Sequence, residues 1–233
     1  MKTSLKAGLF GALIYILFEI AFYLQGWNYL DFKHLLSFAV SSLILLIVIS
    51  YSILKEFNGD RIKMEWFFNN ICTTEWNEEQ DKGKLIKIAT EERIQLFPEY
   101  EKLIRMFYGR WKEMLRGEIS ETVEILKKLK SQNYRLIALT NWGAETFPVA
   151  LERFVFLKLF EGIVVSGEIK MLKPDKKIYE YTLSKYNLNP ANCIFIDDRL
   201  SNVEGAIKCG INGIQFISPK KLITELKNIG VEI

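Results

Sequence analysis

The arrangement of apolar and polar residues divides the chain into three segments. Two continuous apolar windows, 7–25 and 35–53, come first and carry few charges. Each is close to the roughly 20 residues that cross the hydrocarbon core of a bilayer as a helix. Residues 51–116 then place aromatic side chains at helical spacings of three and four, and from residue 118 short apolar runs alternate with amphipathic helices. The pattern predicts an apolar helical hairpin, a helical segment and an α/β segment, in that order.

The two apolar windows predict a membrane anchor of two spans over residues 1–54. Lys2 and Lys6 precede the first window and Lys55 follows the second, whereas the connection between them holds the single lysine Lys33. Because positive residues favour the cytoplasmic side, both termini and the following domain are expected in the cytoplasm. Two alternatives stay open. The run 43–49 is also typical of a buried parallel strand, and residues 1 to about 50 could come from a fusion or a reading-frame error, which would leave a cytoplasmic protein.

The segment 118–233 contains four short apolar runs, at 136–139, 163–165, 193–196 and 213–217, with helical patterns between them. This alternation predicts an α/β fold with a Rossmann-like parallel sheet and helices on both faces. Ligands bind such sheets beyond the carboxyl ends of the strands. The candidate site therefore consists of the polar residues that follow the first three runs and a lysine in the loop after the second: Thr140, Asn141, Ser166, Lys173, Asp197 and Asp198.

These residue types suit a site for a phosphate group and Mg²⁺. Carboxylates are hard oxygen ligands of the kind that Mg²⁺ prefers, and a lysine supplies a compact positive charge to phosphate oxygens. Each residue also has an ordinary explanation, because an Asp after a strand often caps the next helix and Lys173 could be a solvated loop residue. It is their order and spacing that favour the functional interpretation.

Composition excludes several other classes of protein. Hydrophobic residues make up 49% of the chain, which is enough for a packed core. The formal charge of +3 arises from 31 basic and 28 acidic residues, so nucleic acid is not an expected partner. Cys72, Cys193 and Cys209 lack the spacing of a zinc site or a disulfide framework.

Three stretches resemble motifs II, III and IV of the haloacid dehalogenase superfamily of hydrolases: 138–142, 166–168 leading to 173–175, and 195–199 with 202–204. Residues 64–83 look like the start of the small helical cap found in one branch of that superfamily. The resemblance implies a cap over 55–117 and a core over 118–233. It also implies that Thr140, with Asn141 in the same motif, binds the transferring phosphoryl group and that Lys173 neutralises it. Asp197 and Asp198 would hold Mg²⁺, with Asn202 as a further candidate.

Motif I of that superfamily, a strand that ends in Asp-x-Asp and supplies the nucleophile, is missing. The family's usual spacing from the cap leads back to 38–42, which contains no acid. Asp31 is the nearest acid upstream, but Lys33 stands where the proton donor is needed, and Ser41 and Ser42 lack an adjacent base. The missing strand would leave a gap between the strands that end at Thr140 and Asp198, either filled by 35–49 or open.

The family's chemistry is Mg²⁺-dependent hydrolysis of a small phosphate monoester through an aspartyl intermediate. Because the nucleophile is absent, the sequence predicts a hydrolase domain without appreciable turnover. The alternative is a membrane-tethered module that binds a small phosphorylated metabolite without processing it.

Overall fold

The computed structural model describes residues 54–115 and 117–233. Contacts divide the chain into Met1–Lys55 and Glu56–Ile233, and the description that follows concerns the second unit. The predicted apolar hairpin lies outside the described residues. Of the helices formed by 54–115 and 117–233, none has the length and apolar content needed to cross a bilayer.

The first half of this unit is helical, as the aromatic spacing predicts. Its helices are α1 (Arg61–Asn70), α2 (Thr74–Asp81), α3 (Ile86–Leu96), α4 (Glu101–Gly109) and the short α5 (Trp111–Met114). Thr73 caps α2 by accepting a hydrogen bond from the backbone N–H of Trp76. The indole of Trp76 is buried and packs against Phe107 and Tyr108, with ring centroids 5.3 and 5.4 Å away. The aromatic residues thus form the core of this helical part.

The second half alternates strands and helices. In chain order it contains α6 (Ser120–Ser131), β1 (Ile137–Thr140), α7 (Phe147–Arg153), β2 (Gly162–Val165), α8 (Ser166–Ile169), α9 (Lys176–Lys185), β3 (Ile194–Asp197), α10 (Leu200–Ile207), β4 (Asn212–Gln215) and α11 (Pro219–Asn228). Each predicted apolar run forms a strand, although Ser166, expected at a strand end, begins the short helix α8.

The described strands form two parallel pairs rather than one continuous sheet. β1 pairs with β2, with Thr140 opposite Val165, and β3 pairs with β4, with Asp197 opposite Gln215. The position predicted for the family's strand between β1 and β3, near 38–42, lies outside the described residues. At the carboxyl ends of the strands, the side chain of Lys173 connects the two pairs, because it hydrogen-bonds to both β1 and β3.

Apolar clusters hold the helices against the strands, and one of them packs α7 against β2. Another joins β2, α9 and α10, and its buried members are Val164, Ile178, Tyr179, Ala206 and Ile211. A third lies between α6, β4 and α11. Gly205 in α10 lets the helix approach the loop before α9 closely, because a Cβ atom there would lie only 2.8 Å from the carbonyl oxygen of Pro174. The loop that carries Lys173 therefore packs against α10 at Gly205.

Candidate active site at the carboxyl ends of β1 and β3

A buried ion pair joins the two strand pairs at this edge. The ammonium group of Lys173 lies 2.6 Å from Oδ2 of Asp197, and the two side chains are 9% and 6% exposed. The same ammonium donates to the carbonyl oxygen of Leu139 in β1 at 2.9 Å. Lysine has three N–H donors, so one donor of Lys173 has no hydrogen-bond acceptor among the described residues.

Asn141 fixes the backbone of Lys173. Its Nδ2 donates to the carbonyl oxygen of Lys173 at 3.0 Å, and its Oδ1 accepts from the backbone N–H of Lys173 at 2.9 Å. This pair of hydrogen bonds resembles a rung of a sheet and holds the loop against the end of β1. Asn141 is thus a positioning residue in the structure, and the sequence had placed it only near the phosphoryl group.

Asp197 is engaged on both carboxylate oxygens. Besides Lys173 on Oδ2, its Oδ1 accepts from Nδ2 of Asn202 at 2.8 Å and from the backbone N–H of Arg199 at 2.9 Å. Burial by itself raises the pKa of Asp197, but the hydrogen bond and charge of Lys173, with the donors from Asn202 and Arg199, outweigh it and hold the pKa below its ordinary value. Asp197 is therefore an ionised carboxylate with little capacity for another partner.

The remaining predicted residues are in different environments. Thr140 ends β1 and is partly exposed, and among the described residues its hydroxyl makes no side-chain hydrogen bond, so it is free to bind an anion. Asp198 is exposed to solvent. Asn202, the further metal candidate, is 4% exposed and donates to Asp197 instead.

These side chains do not fit a complete Mg²⁺ site. Mg²⁺ requires oxygen donors in near-octahedral geometry and is usually held by one or two carboxylates with water and substrate oxygens. Asp197 already accepts three hydrogen bonds, which leaves Asp198 as the open carboxylate of the predicted pair. Within 54–115 and 117–233, no group of three His, Cys, Asp or Glu side chains is placed to hold a metal ion.

Ser166 joins the helical part to the α/β part. Its side chain is fully buried, donates to the carbonyl oxygen of Asp81 at 2.7 Å and accepts from the backbone N–H of Trp142 at 2.9 Å. The hydroxyl therefore holds the end of α2 against the turn after β1. The sequence predicts Ser166 as a residue of the site, and in the structure its side chain connects the end of α2 to the turn after β1.

Sequence reasoning did not single out two charged residues of α2, Asp81 and Glu78. Burial raises the pKa of Asp81 to about 6, the nearby Glu78 adds to the effect, and the backbone N–H of Gly143 and the charge of Arg199 act against it. Glu78 forms an ion pair with Arg199 at 3.3 Å, although both side chains are largely solvated. Both residues belong to a polar stretch of a helix, and only the packing of α2 against the turns after β1 and β3 shows that they lie near the site.

Comparison with known proteins identifies the family. The family model described as haloacid dehalogenase-like hydrolase matches residues 61–216. A sesquiterpene phosphatase of Aspergillus oryzae is 32% identical over 105 residues, which cover 45% of this chain and 54% of the relative. The (S)-2-haloacid dehalogenase 4A of Burkholderia cepacia is 27% identical over 96 residues, covering 41% and 42%. The human N-acylneuraminate-9-phosphatase is 24% identical over 125 residues, covering 52% and 50%. The chain spans about half the length of these curated relatives.

Solved structures agree on the fold. A haloacid dehalogenase family enzyme of Bacteroides thetaiotaomicron, solved as a magnesium complex, has a TM-score of 0.54 at 20% identity over 65% of this chain and 80% of that one. A hydrolase of the same family from Porphyromonas gingivalis has a TM-score of 0.57 at 16% identity, covering 79% and 90%. The match of the family model over 61–216 confirms the predicted superfamily, and the chain belongs to the haloacid dehalogenase-like hydrolases.

Proposed function

We propose that this chain binds a small phosphorylated metabolite at the Lys173 end of β1 and β3 and does not hydrolyse it. The observation that carries the proposal is the buried pair of Lys173 and Asp197, 2.6 Å apart. Two of the curated relatives are named phosphatases, which supports a phosphorylated ligand. The third N–H of Lys173 and the free hydroxyl of Thr140 are donors of the kind that bind phosphate oxygens.

The same pair makes Asp197 unsuitable as the attacking carboxylate. Phosphoryl transfer through an aspartyl intermediate needs a carboxylate whose oxygen is free to attack phosphorus. Asp197 is the carboxylate in contact with Lys173, and to attack it would have to give up hydrogen bonds to Lys173, Asn202 or the backbone of Arg199. These contacts stabilise the resting carboxylate and so weaken it as a nucleophile. The sequence, in turn, lacks the Asp-x-Asp strand.

Mg²⁺ binding and membrane attachment are two further expectations from the sequence. The Mg²⁺ pair Asp197 and Asp198 follows from the family resemblance, but Asp197 already accepts three hydrogen bonds, so we propose that phosphate binding proceeds without the metal. Membrane anchoring through residues 1–54 remains a prediction from the apolar windows of the sequence.

Two measurements on the full chain test the proposed function. The first is hydrolysis of p-nitrophenyl phosphate with Mg²⁺, where we expect no rate above that of buffer. Turnover that disappears in Asp31→Asn would overturn the proposal and identify Asp31 as the nucleophile.

The second measurement is orthophosphate binding by calorimetry, with and without Mg²⁺. Loss of a charge-assisted hydrogen bond is expected to weaken binding roughly 10- to 100-fold in Lys173→Met. Thr140→Val, which keeps the shape of the side chain and leaves the buried ion pair intact, should weaken it less. Lys128→Met, on α6 and outside the site, is the matched control. Binding that is equal in all four proteins would refute recognition at Lys173.

A further inference from the structure

A cleft beside Lys173 collects cationic side chains from several elements. Its volume is about 560 Å³, and it is bounded by α2, the loop 170–175 and the first turns of α9 and α10. This volume is within the range of about 300–1,000 Å³ that is typical of small-molecule pockets. The cationic residues that line it are Lys82, Lys170, Lys173, Lys177 and Arg199, and the acidic ones are Glu78 and Asp175.

Three of these cations have no carboxylate partner. Lys173 is paired with Asp197 and Arg199 with Glu78. Asp175 caps α9, because its carboxylate accepts from the backbone N–H of Lys177. Among the described residues, by contrast, Lys82, Lys170 and Lys177 form no ion pair, and the single carboxylate of Asp175 offsets only part of their positive charge.

Close backbone packing brings two of these lysines together. Gly83, directly after Lys82, has a φ of +93°, and a Cβ atom there would lie 2.8 Å from the carbonyl oxygen of Gly167 and 2.9 Å from Cγ of Lys170. Lys170 itself has a φ of +57°, a left-handed conformation that few non-glycine residues adopt. The end of α2 is thus packed directly against the aliphatic stem of Lys170, which places Lys82 and Lys170 on the same wall.

The start of α10 adds positive potential. Arg199, Ser201 and Asn202 line the cleft, and the N-cap residue Arg199 makes no side-chain capping bond. The backbone N–H of Arg199 itself donates to Asp197, and the N-terminus of the helix carries a partial positive charge that favours anions. This contribution supplements the lysines and would not define a site without them.

We infer that the ligand carries two phosphoryl groups, one at Lys173 and the other held by Lys82, Lys170 and Lys177. The inference rests on the proposed function, because it extends the same site. Lys173, which lines the cleft, would supply a donor to one phosphate, and the three lysines without an ion pair would offset the charge of a second. A diphosphate or a small bisphosphate is therefore the ligand class that this cleft fits.

Pyrophosphate and orthophosphate are the probes for the test. Calorimetry on the full chain in magnesium-free buffer should show pyrophosphate binding at least about tenfold more tightly, the effect of one added charge-assisted contact. In the double variant Lys82→Met and Lys170→Met, this affinity ratio should fall close to one. Lys128→Met, which exchanges a lysine outside the cleft, should retain the ratio. Circular dichroism of each variant verifies that it is folded.

The outcomes separate the two proposals. If orthophosphate binds through Lys173 but pyrophosphate binds no more tightly, or if the preference survives in the double variant, the second phosphate site is refuted and the proposed function stands. If neither anion binds, both are refuted. If the preference is lost in the double variant and kept in Lys128→Met, the second site is established.

Discussion

Removal of the ammonium group of Lys173 is the sharpest test of the buried pair. In Lys173→Met the stem of the side chain is kept, while Asp197 loses its ionic partner and the carbonyl oxygen of Leu139 loses a donor. Breaking a buried ion pair by removing one partner costs about 3–5 kcal/mol. Asp197 keeps its donors from Asn202 and Arg199, so the lower end of the range applies, and we expect about 3 kcal/mol of lost stability near neutral pH.

The cost should depend on pH in a direction fixed by Asp197. In the parent protein its pKa is below the ordinary value of 3.8, so its charged form contributes stability above that pH, which is lost as the pH falls through the lower folded value. Without Lys173, the largest effect that opposes burial is removed, and we expect the pKa of Asp197 to rise. With a raised acid pKa, the variant loses stability as the pH rises. The difference in unfolding free energy between parent and variant should therefore be smaller in acid than near neutral pH.

Urea unfolding monitored by tryptophan fluorescence measures this effect. With a slope of about 2 kcal/mol per molar urea, a loss of about 3 kcal/mol lowers the midpoint by about 1.5 M. The titration is carried out at about pH 7 and about pH 4.5, with Lys128→Met as the control, which should match the parent at both values. A cost below about 1 kcal/mol near neutral pH, as is typical of an exposed pair, would refute the reasoning, as would a cost that does not shrink in acid.

Two further substitutions test the contacts of α2. Asp81→Asn removes a buried carboxylate whose pKa is about 6. Because a raised acid pKa lowers the stability of the parent as the pH rises from about 4 to 6, the variant should be more stable than the parent near pH 7.5 and equally stable near pH 4. The expected gain near pH 7.5 is about 1 kcal/mol, a value reduced for the partial solvent exposure of Asp81. Thermal unfolding at the two pH values measures it, and an equal gain at both would contradict the assignment. Ser166→Ala leaves the backbone N–H of Trp142 and the carbonyl oxygen of Asp81 without their buried partner, which should cost about 2 kcal/mol in urea unfolding, whereas the exposed Ser201→Ala should cost less than about 0.5 kcal/mol.

The motifs of the site could be located from the sequence because each follows an apolar run. The runs before Thr140 and Asp198 form β1 and β3, and the run before Ser166 forms β2. A parallel arrangement brings the ends of such strands to one edge, which is why Asn141, Lys173 and Asp197 meet. The hydrogen-bond partners of each side chain could not be predicted from the sequence in the same way. Asn141 and Ser166 hydrogen-bond to backbone atoms 32 and 85 residues away, and no local pattern indicates such partners.

The sequence by itself determined the order of helical and α/β segments, the family, and the absence of an Asp-x-Asp motif, because all three depend on residue type and spacing along the chain. The tertiary structure decided which charges meet. It paired Lys173 with Asp197, which the family motifs assign to phosphate and to metal, and it left three lysines unpaired in one cleft. Electrostatic interactions depend on distance and burial, and both are set by how separate segments pack rather than by their separation in sequence.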